Sequence, residues 1–264
     1  MQFSCFQIQK QYKNRTGNAA QHQIAVQGIT SGHHKIRAET QKKSSSEGDF
    51  FIIKDKGHAP GAGDPQKKTG KGSRKSYQKN GQIPNGRITC VISSNPDAYA
   101  LTRAKENGIG TRVIVPKEFE SREVYSKVLL EALFQEYADL IVLAGFMTIL
   151  DETIIRAYHN QIINVHPSLI PAFCGAGYYG LRVHEAALER GVKLTGATVH
   201  FVNEVADDGP IILQQAVAVE PDDTPETLQK RVMEQAEWKI LPRAVSLFCN
   251  GQLEVKGRTV WIKD

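Results

Sequence analysis

Two stretches of this chain, Ile88–Ile92 and Leu140–Ala144, are continuous β-prone apolar runs without the polar alternation of a half-exposed strand. Such runs need cover on both faces, which is the condition of a strand inside a parallel sheet flanked by helices. The residues between them supply those helices. Asn95-Pro96-Asp97 starts a helix over Ala98–Glu106 that Asn107-Gly108 ends, and Thr111–Val115 then reads as a second strand. Ser121 caps a helix that places Val124, Val128, Ala132 and Leu133 on one face. A short helix, Asp151–Tyr158, leads into the strand Gln161–His166, and Val183–Arg190 is a helix closed by Gly191. Gly196–Val202 and Ile211–Val219 read as longer strands joined by the polar turn Asn203–Gly209. A last helix begins at Thr224-Pro225 and runs through Trp238 towards Leu247, with Pro242 kinking or interrupting it. The alternation predicts an α/β fold, a doubly wound and mostly parallel sheet.

All of these elements lie beyond residue 85. Residues 1–85 hold 15 Lys and Arg against 5 Asp and Glu, whereas the remainder holds 18 against 23, so the overall charge of +5 is a sum of unlike parts. The first third has no Leu or Trp, and its apolar residues lack period 2 or 3.6; only Phe50–Ile53 clusters. Lys42-Lys43-Ser44 and Lys67–Lys75 read as solvated chain. Two domains are therefore expected: residues 1–80 as a basic, low-complexity segment, and 81–264 as the folded domain. No window reaches the ~20 apolar residues of a membrane span. Cys5, Cys90, Cys174 and Cys249 form neither a C-x-x-C pair nor a zinc spacing, so no metal site or disulfide framework is expected. With no apolar h-region after Met1, the cytoplasm is the expected location. A basic arm without interleaved aromatics is a poor reader of nucleic acid, and a catalytically dead module that binds polyanions is the weaker reading.

In an open α/β sheet the ligand site lies beyond the carboxyl ends of the strands. Three places qualify: Leu143–Met147, the run Asn164-Val165-His166-Pro167-Ser168, and the turn Glu204–Pro210. Taken singly, each has an ordinary structural explanation. Together they offer an amide donor, an imidazole and a carboxylate without a Ser or Cys in a strained elbow, which suits direct acyl transfer between two bound substrates.

Residues 81–264 also resemble the folate-dependent glycinamide ribonucleotide formyltransferases. The resemblance rests on Ile141–Leu150, on Ile163-Asn164-Val165-His166-Pro167-Ser168-Leu169-Ile170-Pro171, and on Gly196–Val202 running into Asp207-Asp208-Gly209-Pro210. It implies a Rossmann-like formyltransferase fold and transfer of a formyl group from 10-formyltetrahydrofolate, as co-substrate, to the amine of glycinamide ribonucleotide in purine synthesis. By the same resemblance Asn164, His166 and Asp207 are catalytic, with Asp207 raising the pKa of His166. Arg122, Met147, Thr148, Ile149, Leu150 and Asn164 would contact the folate, while Pro167 and Glu237 would contact the nucleotide. His184 and His200 would support the fold. A formyltetrahydrofolate hydrolase and a methionyl-tRNA formyltransferase are the alternatives with the same core, and an inactive formyltransferase-like binding protein is a further one.

The resemblance stops short at one end. The family opens with an apolar strand and a Gly-rich loop that holds the substrate phosphate. Spacing would put that loop at Pro65–Gly70, which reads Pro-Gln-Lys-Lys-Thr-Gly with no apolar strand before it. Residues 1–80 are accordingly expected to be disordered or translated outside the native frame. The neighbouring strand edges should then lie open, and activity should suffer from the lost phosphate anchor.

Overall fold

The computed structural model describes residues 12–13, 19–20, 49–55, 83, 85–146 and 148–264. Two compact units, Met1–Ser44 and Ser45–Asp264, make up the chain. In the first, Tyr12–Lys13 (β1) pairs antiparallel with Ala19–Ala20 (β2). The rest of the expectation for residues 1–80, apart from the strand Asp49–Asp55 (β3), falls outside the described residues.

The second unit is built on a nine-stranded sheet. After β3 come Gly86–Ser93 (β4), Tyr99–Glu106 (α1), Gly110–Val113 (β5), Arg122–Gln135 (α2), Leu140–Ala144 (β6), Glu152–Ala157 (α3) and Ile162–His166 (β7). Leu181–Arg190 (α4), Leu194–Phe201 (β8), Ile211–Ala218 (β9), Pro225–Val232 (α5), Trp238–Cys249 (α6), Leu253–Lys256 (β10) and Thr259–Ile262 (β11) follow. Across the sheet the order is β10-β11-β9-β8-β7-β6-β3-β4-β5. The pairings make β4, β5, β6, β7, β9 and β11 run one way and β3, β8 and β10 the other, so the sheet is mostly parallel in direction.

The apolar runs behave as two-faced strands. Ile141 and Leu143 join a core with Leu129 and Leu133 of α2 and Ile154 of α3. Leu140 and Val142, one residue out of phase, join a second core with Val199, Phe201, Leu228 and Val232. Each of these side chains is nearly or fully buried, which is worth about 1.5–3 kcal/mol apiece. The caps also sit where expected: Ser121 accepts from the Val124 N–H, and Gly191 closes α4 at φ 72°.

Three features differ from expectation. The edges of β4 and β6 are not open, because β3 lies between them, antiparallel to both. Their ladder groups need partners, and the β-prone stretch Asp49–Asp55 provides them with a register shift at Ile52/Ile53. The last helix is interrupted, but ahead of Pro242 rather than at it. A π-helical turn, Met233–Glu237, separates α5 from α6, and Pro242 follows within the next turns. Finally, β10 and β11 form an unanticipated hairpin.

Candidate active site

Asn164 and His166 stand on β7, two residues apart on the same side of the strand, at its carboxyl end. Antiparallel β8 places His200 directly opposite Asn164 and Thr198 opposite His166. The turn between β8 and β9 then returns Asp207 to the same spot. Asp207 takes a left-handed backbone, φ 56°, which a non-glycine residue adopts only when its surroundings hold it there. Those surroundings are visible. The Gly175 N–H donates to Asp207 Oδ2 at 2.9 Å, His166 Nδ1 lies 3.4 Å from the same oxygen, and His200 Nε2 lies 3.6 Å from Oδ1.

The hydrogen bonds also assign protons. His200 Nδ1 donates to the Phe201 carbonyl at 2.8 Å, so in the neutral ring Nε2 is an acceptor, and Asn164 Nδ2 donates to it at 3.2 Å. That fixes the flip of the Asn164 amide and leaves its second N–H available. His166 Nε2 donates to the Phe173 carbonyl at 2.8 Å. The loop carrying Phe173 is tied down beneath by Ser168, whose hydroxyl donates to the Ala172 carbonyl at 2.5 Å, and by Thr198 Oγ1, which donates to the Ser168 carbonyl at 2.7 Å.

Burial is the main influence on the His166 imidazole and pushes its pKa down; Asp207 and the Phe173 carbonyl act upward but do not win. The expectation that Asp207 raises His166 above its ordinary value is corrected to this extent. For Asp207 the balance goes the other way. Burial alone would raise its carboxyl, but the imidazoles of His200 and His166 and the Gly175 N–H together hold it below the usual carboxylate range. The resting pair is thus an ionised carboxylate beside a mostly neutral imidazole.

The other expected site residues are dispersed. Arg122 donates through Nη2 to the Ile149 carbonyl at 2.7 Å, bracing the loop after β6. Within that loop Leu150 is packed into the first core, Ile149 is exposed, Thr148 is half-buried, and Met147 falls outside the described residues. Pro167 is half-buried directly after His166. Glu237 ends the π-helical turn, on an element that packs against β8 and β9, and burial pushes its carboxyl up to about 7.

The formyl transferase family profile matches residues 68–245, well over half of the chain. The chain belongs to the formyl transferase family. Among the members of that family to which it is similar is the phosphoribosylglycinamide formyltransferase of Escherichia coli K12. The two are 37% identical over 177 residues, covering 67% of this chain and 81% of that protein. The bovine trifunctional purine biosynthetic protein adenosine-3 is 41% identical over 179 residues, but this chain spans only 17% of its length. In three dimensions the formyl transferase fold of this chain is similar to glycinamide ribonucleotide transformylase 1 from Symbiobacterium toebii. The TM-score is 0.66 at 43% identity, covering 70% of this chain and 84% of that one.

Two features around the strand end escaped the sequence reading. His200 was legible only as a fold-supporting residue, because its contact with Asn164 depends on the β7–β8 register. The hairpin beyond residue 252 does carry a local signal, two short β-prone runs, Leu-Glu-Val-Lys and Thr-Val-Trp-Ile, about the turn Gly257-Arg258.

Proposed function

We propose that this chain transfers the formyl group of 10-formyltetrahydrofolate to the amine of glycinamide ribonucleotide, a step of purine synthesis, in the cytoplasm. The observation that carries this reading is the convergence of Asn164, His166 and Asp207 at one strand end.

The amine attacks the formyl carbon, and the second N–H of Asn164 donates to the oxygen as it gains negative charge. His166, neutral at rest with its Nε2–H on the Phe173 carbonyl, takes the proton that the amine sheds on Nδ1 and delivers it from there to N10 of the folate as the C–N10 bond breaks. Asp207 stabilises the imidazolium while it lasts. The transfer is direct: burial, Asp207 and Asp208 all keep the Cys174 thiol protonated, which makes it a poor nucleophile. Glu237 pairs with the amine, and Arg122 with residues 147–150 borders the folate. We further propose a weak grip on the substrate phosphate, since Pro65–Gly70 offers a single glycine where a phosphate loop carries several.

The test follows 10-formyltetrahydrofolate consumption with and without glycinamide ribonucleotide. Consumption should require the amine and yield one formylated nucleotide per folate. Equal consumption in its absence would make the chain a hydrolase and sink the proposal.

A further inference from the structure

The β10–β11 hairpin lies past residue 245, where the family profile ends, yet its tip reaches the turn that carries Asp207. Lys256 and Thr259 close the hairpin, leaving Gly257, at φ 60°, and Arg258 as its two-residue loop. The Arg258 guanidinium makes three hydrogen bonds to one residue. Nη1 donates to Asp208 Oδ2 at 3.0 Å, Nη2 to Oδ1 at 2.8 Å, and Nη2 also to the Asp208 main-chain carbonyl at 3.1 Å. Asn203 Nδ2 approaches the same carboxylate at 3.4 Å from within the turn.

An isolated ion pair this exposed ordinarily does little. This one is a planar fork on both carboxylate oxygens plus a backbone bond, so it fixes the main chain as well as a side chain. Its base is firm. Leu253, Val255 and Val260 pack against the second core, and Thr259 pairs with Ile211 at the start of β9. On the far side of Asp208 the chain is equally constrained. Gly209 lies so close to β8 that a Cβ there would stand 1.7 Å from the Phe201 carbonyl oxygen, and Phe201 N–H donates to the Pro210 carbonyl at 2.9 Å. Asp207, in its left-handed conformation, is therefore held between Gly175 before it and the Arg258-bound Asp208 after it.

We infer that Arg258 is a positioning residue for the formyl-transfer site: it clamps Asp208 and thereby holds the carboxylate of Asp207 against His166 and the Gly175 N–H. The inference rests on the reading that Asp207 serves His166 in formyl transfer. Released from the clamp, the turn relaxes at Asp207, and the carboxylate drifts from a ring it must face within a few tenths of an ångström.

The test compares wild type with Arg258→Ala, Arg258→Lys, Asp208→Asn and the double variant Arg258→Ala/Asp208→Asn, with Arg190→Ala on the exposed end of α4 as control. Arg258→Ala should lower kcat about tenfold with KM for glycinamide ribonucleotide within about twofold. Arg258→Lys, a point charge without the fork, should recover only part of the loss. The double variant should be no worse than the poorer single one, because the two residues act as a unit. Independently of activity, amide hydrogen exchange at Gly175 should quicken several-fold in Arg258→Ala and stay unchanged in Arg190→Ala. Wild-type kcat together with unchanged Gly175 exchange in Arg258→Ala overturns the inference. If wild type itself transfers no formyl group, the functional reading fails, and Gly175 exchange alone then decides the clamp: faster exchange upholds it, unchanged exchange overturns it.

Discussion

His184, in the first turn of α4, has no exposed surface, and among the described residues neither ring nitrogen has a hydrogen-bond partner. Burial first, and the charge of His166 second, bring its pKa down from 6.5 to about 4. The sign of the consequence follows from proton counting. Between those two values the unfolded chain binds a proton that the folded chain refuses, so stability is full above about pH 6.5 and is lost as the pH falls towards 4. At pH 4.5 the unfolded imidazole is almost wholly protonated and the folded one only in small part, which costs about 2.5 kcal/mol relative to pH 7.5. Urea denaturation of wild type and His184→Leu at both pH values measures this. His166, also depressed, adds in the same direction, and Glu237, whose carboxyl is raised to about 7, acts in the opposite one. Both remain in the variant and largely cancel in the comparison. Wild type should lose about 2.5 kcal/mol more than His184→Leu between pH 7.5 and 4.5. Equal losses would refute the claim that a neutral, unpartnered imidazole is buried behind the site.

Other outcomes follow from single contacts. Asp207→Asn keeps the size of the side chain but removes the charge facing His166, so kcat should fall about 10²–10³-fold with the fold intact by circular dichroism; a fall of under threefold would remove Asp207 from the mechanism. Glu237→Gln should raise KM for glycinamide ribonucleotide about tenfold or more, and the wild-type KM should climb as the pH drops below about 7, where the raised carboxyl takes up its proton; a flat KM profile contradicts the assignment. Asp223, whose side chain is 1% exposed, accepts hydrogen bonds from both terminal guanidinium nitrogens of Arg231 and from the Glu220 N–H, so Asp223→Ala should cost about 2–3 kcal/mol in urea denaturation, and a cost below about 0.5 would show the pair to be incidental. Gly209→Ala should abolish stable folding or activity, because its Cβ would lie 1.7 Å from the Phe201 carbonyl oxygen; near-normal thermal stability would mean that the β8–β9 turn yields easily.

The sequence is most legible where a residue answers to its immediate neighbours. Leu140–Ala144 reads as a strand with its observed bounds because both of its faces are apolar, and Ser121 and Gly191 mark helix ends because capping is local chemistry. The clustering of Asn164, His166 and Asp207 is legible through the motif alone. What escapes is whatever depends on contacts distant along the chain. Phe50–Ile53 is too short an apolar cluster to announce a partner, yet its strand fills the gap between β4 and β6. The π-helical turn before Pro242 depends on how the helix settles against β8 and β9, and a 3.6-residue pattern does not encode it. The direction of the His166 shift is hidden for a related reason. The motif shows the carboxylate that raises it, but the desolvation that outweighs the carboxylate appears only once the strand end is buried.

The most direct measurement is single-turnover transfer of an isotopically labelled formyl group from 10-formyltetrahydrofolate to glycinamide ribonucleotide, by wild type and by His166→Ala. Wild type should form labelled formylglycinamide ribonucleotide, and His166→Ala should form it about 10²–10⁴ times more slowly. Equal rates in the two proteins, or no labelled product from wild type at saturating nucleotide, would contradict the account.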